Sequence, residues 1–574
     1  MTPRAQWSVA APDEESAAAL ARDLRLQKPA ARVLWSRGYR DPDAARRFLA
    51  PSLDHLHDPF LLRDMDRAVE RLHRAIATGE KILLYGDYDV DGTSSIVLLS
   101  KILQAAGAQF NYTVPHRLRD GYGMRPEVVD QAAADQVRLI VSVDTGIRAA
   151  AVVEHAAGLG IDCIITDHHL PEAQLPPALA VLNPNRADCA YPEKNLCGAG
   201  VAFKLIQALM QRLAWPPERV RRTTESLLKM VAIATVADVV PLTGENRAIV
   251  KLGLDGLHTV KNVGLRALLA KAGFADGQTP SAGDIGFRVA PRINAAGRMA
   301  SASDVVEMFL TGDAGLATGI AERLHDLNRD RQQVEAKIVE ACLKVEVAPE
   351  EAGLVYSGPN WHKGVVGIVA SRVVERHHRP SIVLGEDPET GLAQGSGRSI
   401  SAFHLLDALE SMADLFLKFG GHRQAAGVTL PVERIPEFRR RFDAYARERL
   451  TAEDMTPRVR ADALLDFREL NDEAVEQVLA LAPFGCGNPA PHFAVRGLEV
   501  CAQPAAMGEA HLRVPARQNG RVFQIKAWRF RERELEVAAG ARIDAIVSLD
   551  DDSYSAARGY SPWCMTLKDV RPAS

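Results

Sequence analysis

Between residues 78 and 240 the chain alternates short apolar runs with helical stretches. Residues 81–85, 110–114, 139–143 and 163–166 are apolar runs, each followed by polar or glycine-rich turns. Runs this short and this continuously apolar predict strands buried on both faces. Strands alternating with helices predict a parallel sheet covered by helices on both sides. In such sheets ligands bind beyond the carboxyl ends of the strands. Leu316, Ile320, Leu324, Leu327, Val334 and Ile338 recur at helical spacing, and no Gly or Pro interrupts after Gly319. This predicts one long connecting helix over 315–346. A second α/β unit follows at about 350–430, with strands expected at 352–356 and 381–384, and then a basic helix at 431–450. After residue 456 the pattern shifts to short β-like runs at 521–527, 541–549 and 563–567, which predicts a small β-barrel.

The expected fold class is therefore α/β: two α/β domains joined by a long helix, plus a C-terminal barrel. The expected boundaries are a helical lead-in at 1–75, a first α/β domain at 76–314, the connecting helix at 315–346, a second α/β domain at 347–455 and the barrel at 456–574. A chain of 574 residues has room for three or four domains. The 69 basic and 73 acidic residues nearly balance, at a net charge of −4. That argues mildly against a protein that coats nucleic acid non-specifically, while leaving room for a local basic groove. The seven cysteines are scattered and form no C-x-x-C pair, which fits a reducing cytoplasm and neither a disulfide framework nor a zinc site. Asp13, Glu14 and Glu15 near the N-terminus do not fit a secretory signal. The longest apolar candidate for a membrane span, 231–242, is short and contains Asp238.

Candidate chemistry is concentrated at the ends of the first unit's apolar runs. Residues 86–92 read GDYDVDG, with Asp87, Asp89 and Asp91 at alternate positions after a strand. In extended chain alternate residues share one side, so the three carboxylates are expected to converge. Carboxylates so close repel unless cations neutralise them, and hard ions such as Mg²⁺ or Mn²⁺ prefer oxygen ligands. A solvated acidic turn is the plainer reading. An EF-hand loop is disfavoured, because no glutamate stands at its twelfth position and a strand precedes it. The pattern then recurs: Asp144 ends the run at 139–143, Asp167, His168 and His169 end the run at 163–166, and Asp238 lies in the apolar run ATVADVVPL at 234–242. Carboxylates from four strand or helix ends plus an imidazole suit a two-metal site, with Mn²⁺ as natural an occupant as Mg²⁺.

GDYDVDG, VSVDTG, TDHH and ATVADVVPL, in that order, resemble the four motifs of the DHH phosphoesterase superfamily. The resemblance implies two divalent ions, with Asp87, Asp89 and Asp91 as ligands from the first motif. It also implies that Asp144 bridges the ions, His168 ligates one and Asp238 completes the set. His169 is then expected behind the metal ligands or near the substrate phosphate, with Asp167 orienting a histidine. In the second unit WHKGVVGIVASR (361–372), GSGRS (395–399) and GGHRQAAG (420–427) read as glycine-rich turns able to approach an anion. They resemble the DHH-associated domain, whose GGHxxAAG string, carrying His422 here, contacts substrate.

Further strings narrow the resemblance to the RecJ family within that superfamily. They are residues 115–123, NAAGR at 294–298 preceded by Arg292, and PFGCGNP at 483–489, together with Arg37-Gly38, residues 48–51 and residues 64–66 of the lead-in. That family is expected to degrade single-stranded DNA from its 5′ end, releasing 5′-mononucleotides in recombination and repair. By the resemblance Arg117, Arg298, Ser396 and Arg398 hold the 5′-phosphate and adjacent backbone, with Asn294 and His422 also at the substrate. The barrel is then an OB-fold for single strands, with Trp528, Lys526 and Arg529 as candidates for stacking or groove contacts. Phe523, Ile525 and Ala527 are assigned to the barrel core, opposite Gln524, Lys526 and Trp528. Expected partners are single-strand-binding protein and a RecQ-type helicase, the expected state is a monomer, and the expected location is the cytoplasm. Two rivals share the fold: a DHH enzyme of short oligonucleotides or cyclic dinucleotides, and an inactive binding subunit like the RecJ-related component of replicative helicases. The first has no use for the region after 456, and the second is expected to lose metal ligands.

Overall fold

The computed structural model describes residues 5–573 except 118, 120 and 122, so part of the 115–123 string lies outside the described residues. A short strand β1 (Gln6–Val9) precedes a helical region. The first α/β unit is then built on five parallel strands, β2 (Lys81–Gly86), β3 (Gln109–Thr113), β4 (Val137–Val143), β5 (Asp162–Thr166) and β6 (Ala180–Leu182). Their order is β3-β2-β4-β5-β6. Both faces are covered, which explains the unbroken apolar runs. Ile82, Leu84, Leu139 and Val141 enter one core, while Leu83, Tyr85, Ile140 and Ile165 enter another. The order reverses between β2 and β4, since the chain leaves β2 toward β3 on one side and β4 toward β5 on the other. That makes a crevice beyond the strand ends.

The connecting helix spans Ala314–Leu343, capped by Asp313, whose carboxylate accepts from the Gly315 and Leu316 N–H groups at 2.7 and 3.1 Å. At 1.5 Å per residue it is about 45 Å long. Ile320, Ala321 and Leu324 pack into the first unit's core, and Ile338 and Cys342 into the second's. The helix is thus fixed at both ends by apolar burial.

The second unit carries β7 (Leu354–Pro359), β8 (Ser381–Asp387), β9 (Leu392–Arg398), β10 (Lys418–Gly421) and β11 (Ala425–Pro431), in the order β10-β11-β9-β8-β7. One expectation is corrected here. GSGRS is not a turn: residues 395–398 lie inside β9, paired with β8 and β11. Glycines there let neighbouring backbone press against the strand face. A Cβ at Gly395 would collide with the Val383 carbonyl oxygen. We expect Gly395→Ala to cost roughly 1–3 kcal/mol or more, as overpacking against backbone does. A urea midpoint unchanged from wild type would contradict that reading.

The last unit contains β12 (Arg458–Ala461), β13 (Ala463–Leu464), β14 (His492–Val500), β15 (Ala505–Met507), β16 (His511–Gln518), β17 (Arg521–Ala527), β18 (Arg542–Asp551) and β19 (Trp563–Pro572). The sheet runs β13-β14-β18-β19-β17-β16-β15, and pairing of β14 with β16 closes it into a barrel. Ile525 and Ala527 are buried in its core with Phe523 packed against them, as the alternation along β17 predicts.

Leu20, Val33, Leu34, Ala45 and Phe48 share that same core, and β1 pairs with β12. The N-terminal helices therefore pack on the C-terminal barrel. Several links tie this assembly to the first unit, among them the following. Buried Arg247 donates to the carbonyls of Phe48 and Ala482 at 2.7 and 2.9 Å. The Leu242 N–H donates to Cys486 O at 2.7 Å, so the PFGCGNP loop braces the chain just after Asp238. Among the described residues no helix is long and apolar enough to cross a membrane.

Candidate active site

Asp87, Asp89 and Asp91 do come together with the other motif residues, but not as alternate positions of a strand. β2 ends at Gly86, Asp89 is the N-cap of helix Val90–Ala105, and Asp91 lies in its first turn. Asp89 Oδ1 accepts from the Asp91 and Gly92 N–H groups at 2.9 and 3.0 Å. Capping turns the chain from strand to helix and splays the carboxylates. Asp91 is then held by the start of helix Gly198–Arg212, accepting from the Gly198 and Ala199 N–H groups at 2.5 and 2.7 Å.

Asp144 follows β4 at φ 57°, a left-handed conformation that Asp tolerates better than most residues. Gly198 is required beside it, since a Cβ there would lie 2.6 Å from Asp144 Cβ. Asp167, His168 and His169 follow β5. Asp167 Oδ1 receives the His168 and His169 N–H groups at 2.7 and 3.0 Å and lies 2.8 Å from His169 Nδ1. Asp238 caps the C-terminus of helix Pro217–Ala237.

These ends meet in one cluster. Oxygen atoms of Asp87, Asp89 and Asp144 lie within 4.8 Å of one another, and so do donor atoms of Asp91, His168 and Asp238. His168 Nε2 stands 3.2 Å from Asp144 Oδ1 and 3.7 Å from Asp238 Oδ2. Asp144, His168 and His169 form a third such group. Asp87 Oδ1, His168 Nε2 and Asp238 Oδ2 are buried without a hydrogen-bond partner among the described residues. Buried polar atoms left in this way are costly unless something else binds them. The donor set, mostly carboxylate oxygen with imidazole, fits Mn²⁺ or Mg²⁺.

The electrostatics point the same way. Burial, and then the neighbouring carboxylates, push Asp87 and Asp144 well above the usual carboxylate range. Burial, followed by Asp91 and Asp89, pushes Asp238 up to about 9. Burial lowers His168. His169 loses by burial as well, but its bond to Asp167 prevails and its pKa is raised.

A stability prediction follows for metal-free protein. The folded-state pKa of Asp238 is raised from an ordinary 3.8 to about 9, so folding favours its neutral form. That contribution is full below the unfolded value and is lost as pH rises through the folded one. The melting temperature without metal should therefore fall between about pH 5 and 9, and the increment added by Mn²⁺ should grow over the same window. Calorimetry with and without Mn²⁺ tests this; an increment independent of pH would contradict it.

Beside the carboxylates lies a cluster of arginines. Arg298 is on helix Ala290–Met299, with Nη1 donating to Gly364 O at 3.0 Å. Burial first, then Arg117, Arg331 and Arg398, lower its pKa to about 10, while Asp89 opposes them. Arg398 donates to Ser396 Oγ at 2.8 Å, and burial and Arg117 lower its pKa. The Arg117 guanidinium lies 4.9 Å from the Tyr88 ring centroid. Mutually repelling, largely buried guanidiniums favour an anion between them. Arg331 was not anticipated from the sequence. It sits on the connecting helix four residues after Leu327, so a charge on the apolar stripe was the available signal.

The remaining expected residues are placed as follows. Asn294 accepts from the Val90 N–H at 3.2 Å and so braces the turn between Asp89 and Asp91. His422 reaches across from the second unit to line a cavity of about 470 Å³ with Asp167 and His169. Trp528 is half exposed, edge-on to His511 at 4.9 Å. Lys526 is tied to Asp552 at 2.6 Å. Arg529 faces the connecting helix across a cleft.

Comparison with known proteins matches these units individually. Residues 81–235 match the DHH family, N-terminal domain, residues 350–448 the DHHA1 domain, and residues 461–560 the RecJ OB domain. The single-stranded-DNA-specific exonuclease RecJ of Bacillus subtilis is 36% identical over 547 residues, covering 94% of this chain and 68% of that protein. Its Escherichia coli counterpart is 40% identical over 500 residues, covering 84% and 85%. The crystal structure of Thermus thermophilus RecJ with Mn²⁺ superposes with a TM-score of 0.84 at 32% identity, covering 100% of this chain and 80% of that one.

Proposed function

This chain belongs to the RecJ family of single-stranded-DNA-specific exonucleases, and on that premise we propose that it removes 5′-mononucleotides from a strand whose 5′-phosphate sits among Arg117, Arg298 and Arg398. It is a metal-dependent hydrolase of single-stranded DNA, using Mn²⁺ or Mg²⁺. The observation that carries the polarity is the arginine cluster against the carboxylate cluster, with Asp89 in the field of both.

Asp87, Asp89 and Asp144 would hold one ion and Asp91, His168 and Asp238 the other, with Asp144 between them. When bound, such ions acidify a water for attack and offset charge building on the phosphoryl oxygens. The chain's own contribution is placement. The arginines and Ser396 anchor the terminal phosphate, which fixes the next phosphodiester over the carboxylates. His169, whose pKa the bond to Asp167 raises, would offer a proton close to the departing 3′-oxygen. His422 closes the opposite wall.

We assign catalysis to 76–314, substrate binding to 347–455 across the helix at 315–346, and single-strand binding to 456–574, with 1–75 as the lead-in. A monomer working in the cytoplasm with single-strand-binding protein and a RecQ-type helicase fits that role in recombination and repair. The barrel weighs against an enzyme confined to very short substrates, and the complete ligand set against an inactive subunit.

The test is a 3′-labelled single strand incubated with Mn²⁺ beside the matching duplex. Progressive shortening from the 5′ end of the single strand alone supports the proposal. Cleavage confined to fragments of two to four nucleotides, or binding without cleavage, would overturn it.

A further inference from the structure

The cleft between helix Ala290–Met299, the connecting helix and the barrel has a volume of about 780 Å³. Its lining holds five arginines, Arg298, Arg331, Arg372, Arg376 and Arg529, against two glutamates, Glu335 and Glu375, which pair with Arg331 at 2.6 Å and with Arg372 at 3.3 and 3.0 Å, so the cleft keeps a net positive charge. One residue there has no role so far. Phe287 is 79% exposed. Such exposure is unusual for a large aromatic, and burying it would stabilise the protein.

Its position is enforced. Phe287 lies in a π-helical turn, Ile285–Val289, whose end residues Ile285 and Val289 are both fully buried. The anchored ends leave the middle of the turn directed outward. Widened turns of this kind recur at functional sites. The turn runs directly into the helix carrying Asn294 and Arg298. Phe287, Pro291, Asn294 and Arg298 follow at helical spacing, and all four line the cleft. An aromatic ring, a bracing residue of the first motif and an arginine of the phosphate cluster therefore lie along one wall.

An exposed ring in an arginine-lined groove is the combination with which proteins hold single strands, the charge following the backbone and the ring stacking on a base. We propose that Phe287 is a stacking platform for a base of the incoming strand and sets its approach to the active site. Arg298 follows Phe287 by eleven positions, about 16 Å at a helical 1.5 Å each. At 3.4 Å per stacked nucleotide and more when extended, the base concerned is roughly the third to fifth from the 5′ end. The inference rests on the 5′-phosphate being seated at the arginine cluster.

The experiment uses full-length protein in EDTA, so that strands bind without being cut. 5′-Phosphorylated oligonucleotides carry 2-aminopurine at successive positions from the 5′ end, and fluorescence is followed for wild type, Phe287→Ala and Phe287→Trp. Wild type should quench most strongly at about the third to fifth nucleotide. Phe287→Ala should abolish that maximum and weaken binding roughly 5- to 150-fold, the 1–3 kcal/mol of base stacking converted at 1.4 kcal/mol per tenfold. Phe287→Trp should restore both, which a merely structural role would not predict. An unchanged maximum in Phe287→Ala overturns the platform while leaving the seated 5′ end intact. A wild-type profile without any maximum overturns the seated end, and the platform with it.

Discussion

Asp144→Asn is expected to abolish Mn²⁺-dependent degradation of single-stranded DNA, lowering kcat by about 10²–10³-fold or more, the loss typical for removing a preorganised charge-stabilising group. Asp144 lies nearer to His168 Nε2 than Asp91 or Asp238 does and shares a donor group with Asp87 and Asp89. An amide keeps the shape but removes the negative charge that, on the proposed reading, serves both ion positions. The same change should raise the stability of metal-free protein. Asp144 is buried amid Asp91, Asp89, Asp87 and Asp238, so an ionised group there is unfavourable without cations. Activity and metal-free stability should therefore move in opposite directions. A quenched-flow rate with excess Mn²⁺ and a melting curve in EDTA measure the two. A variant retaining more than a tenth of wild-type kcat would remove Asp144 from the metal site.

Arg298→Ala should erase discrimination between 5′-phosphorylated and 5′-hydroxyl strands. The part-buried guanidinium stands among Arg117, Arg331 and Arg398, a repulsion that Asp89 offsets in part and a bound anion would relieve further. Truncating one member of a buried, hydrogen-bonded charge pair costs about 2–5 kcal/mol, or roughly 30-fold and upward in kcat/KM on the phosphorylated strand. On a 5′-hydroxyl strand the loss should be far smaller. The free protein should not be destabilised in proportion, because one of several repelling charges has gone. If both substrates slow equally, Arg298 supports the fold through Gly364 and does not read the phosphate.

Much of this organisation was legible in the sequence. The parallel sheet is visible because strands buried on both faces must be apolar at every position, and Leu139, Ile140 and Val141 are. The connecting helix is visible because apolar burial at both of its ends keeps one stripe in register. The barrel strand β17 is visible because only one of its faces enters a core, so its residues alternate. The clustering of the candidate site residues was legible as well, because an Asp or His ending an apolar run places a polar group at the one rim of the sheet where ligands gather.

Other features were settled only by tertiary structure. The first-motif aspartates converge through a capped strand-to-helix turn, and Asp91 is oriented by the backbone of Gly198 and Ala199, more than a hundred residues away. No local pattern encodes a partner at that distance. GSGRS became a strand because Gly395 faces the Val383 backbone and Gly397 the side chains of Ile382 and Leu405, and glycine in isolation signals a turn equally well. The N-terminal helices pack on the C-terminal barrel because their apolar faces match its core, and periodicity shows that a face is apolar without showing what covers it. Residue types and spacing thus determined which groups are candidates for the chemistry and which elements hold them. Long-range packing determined which carboxylates share an ion position, and how the arginines of two domains and the helix between them come to face one another.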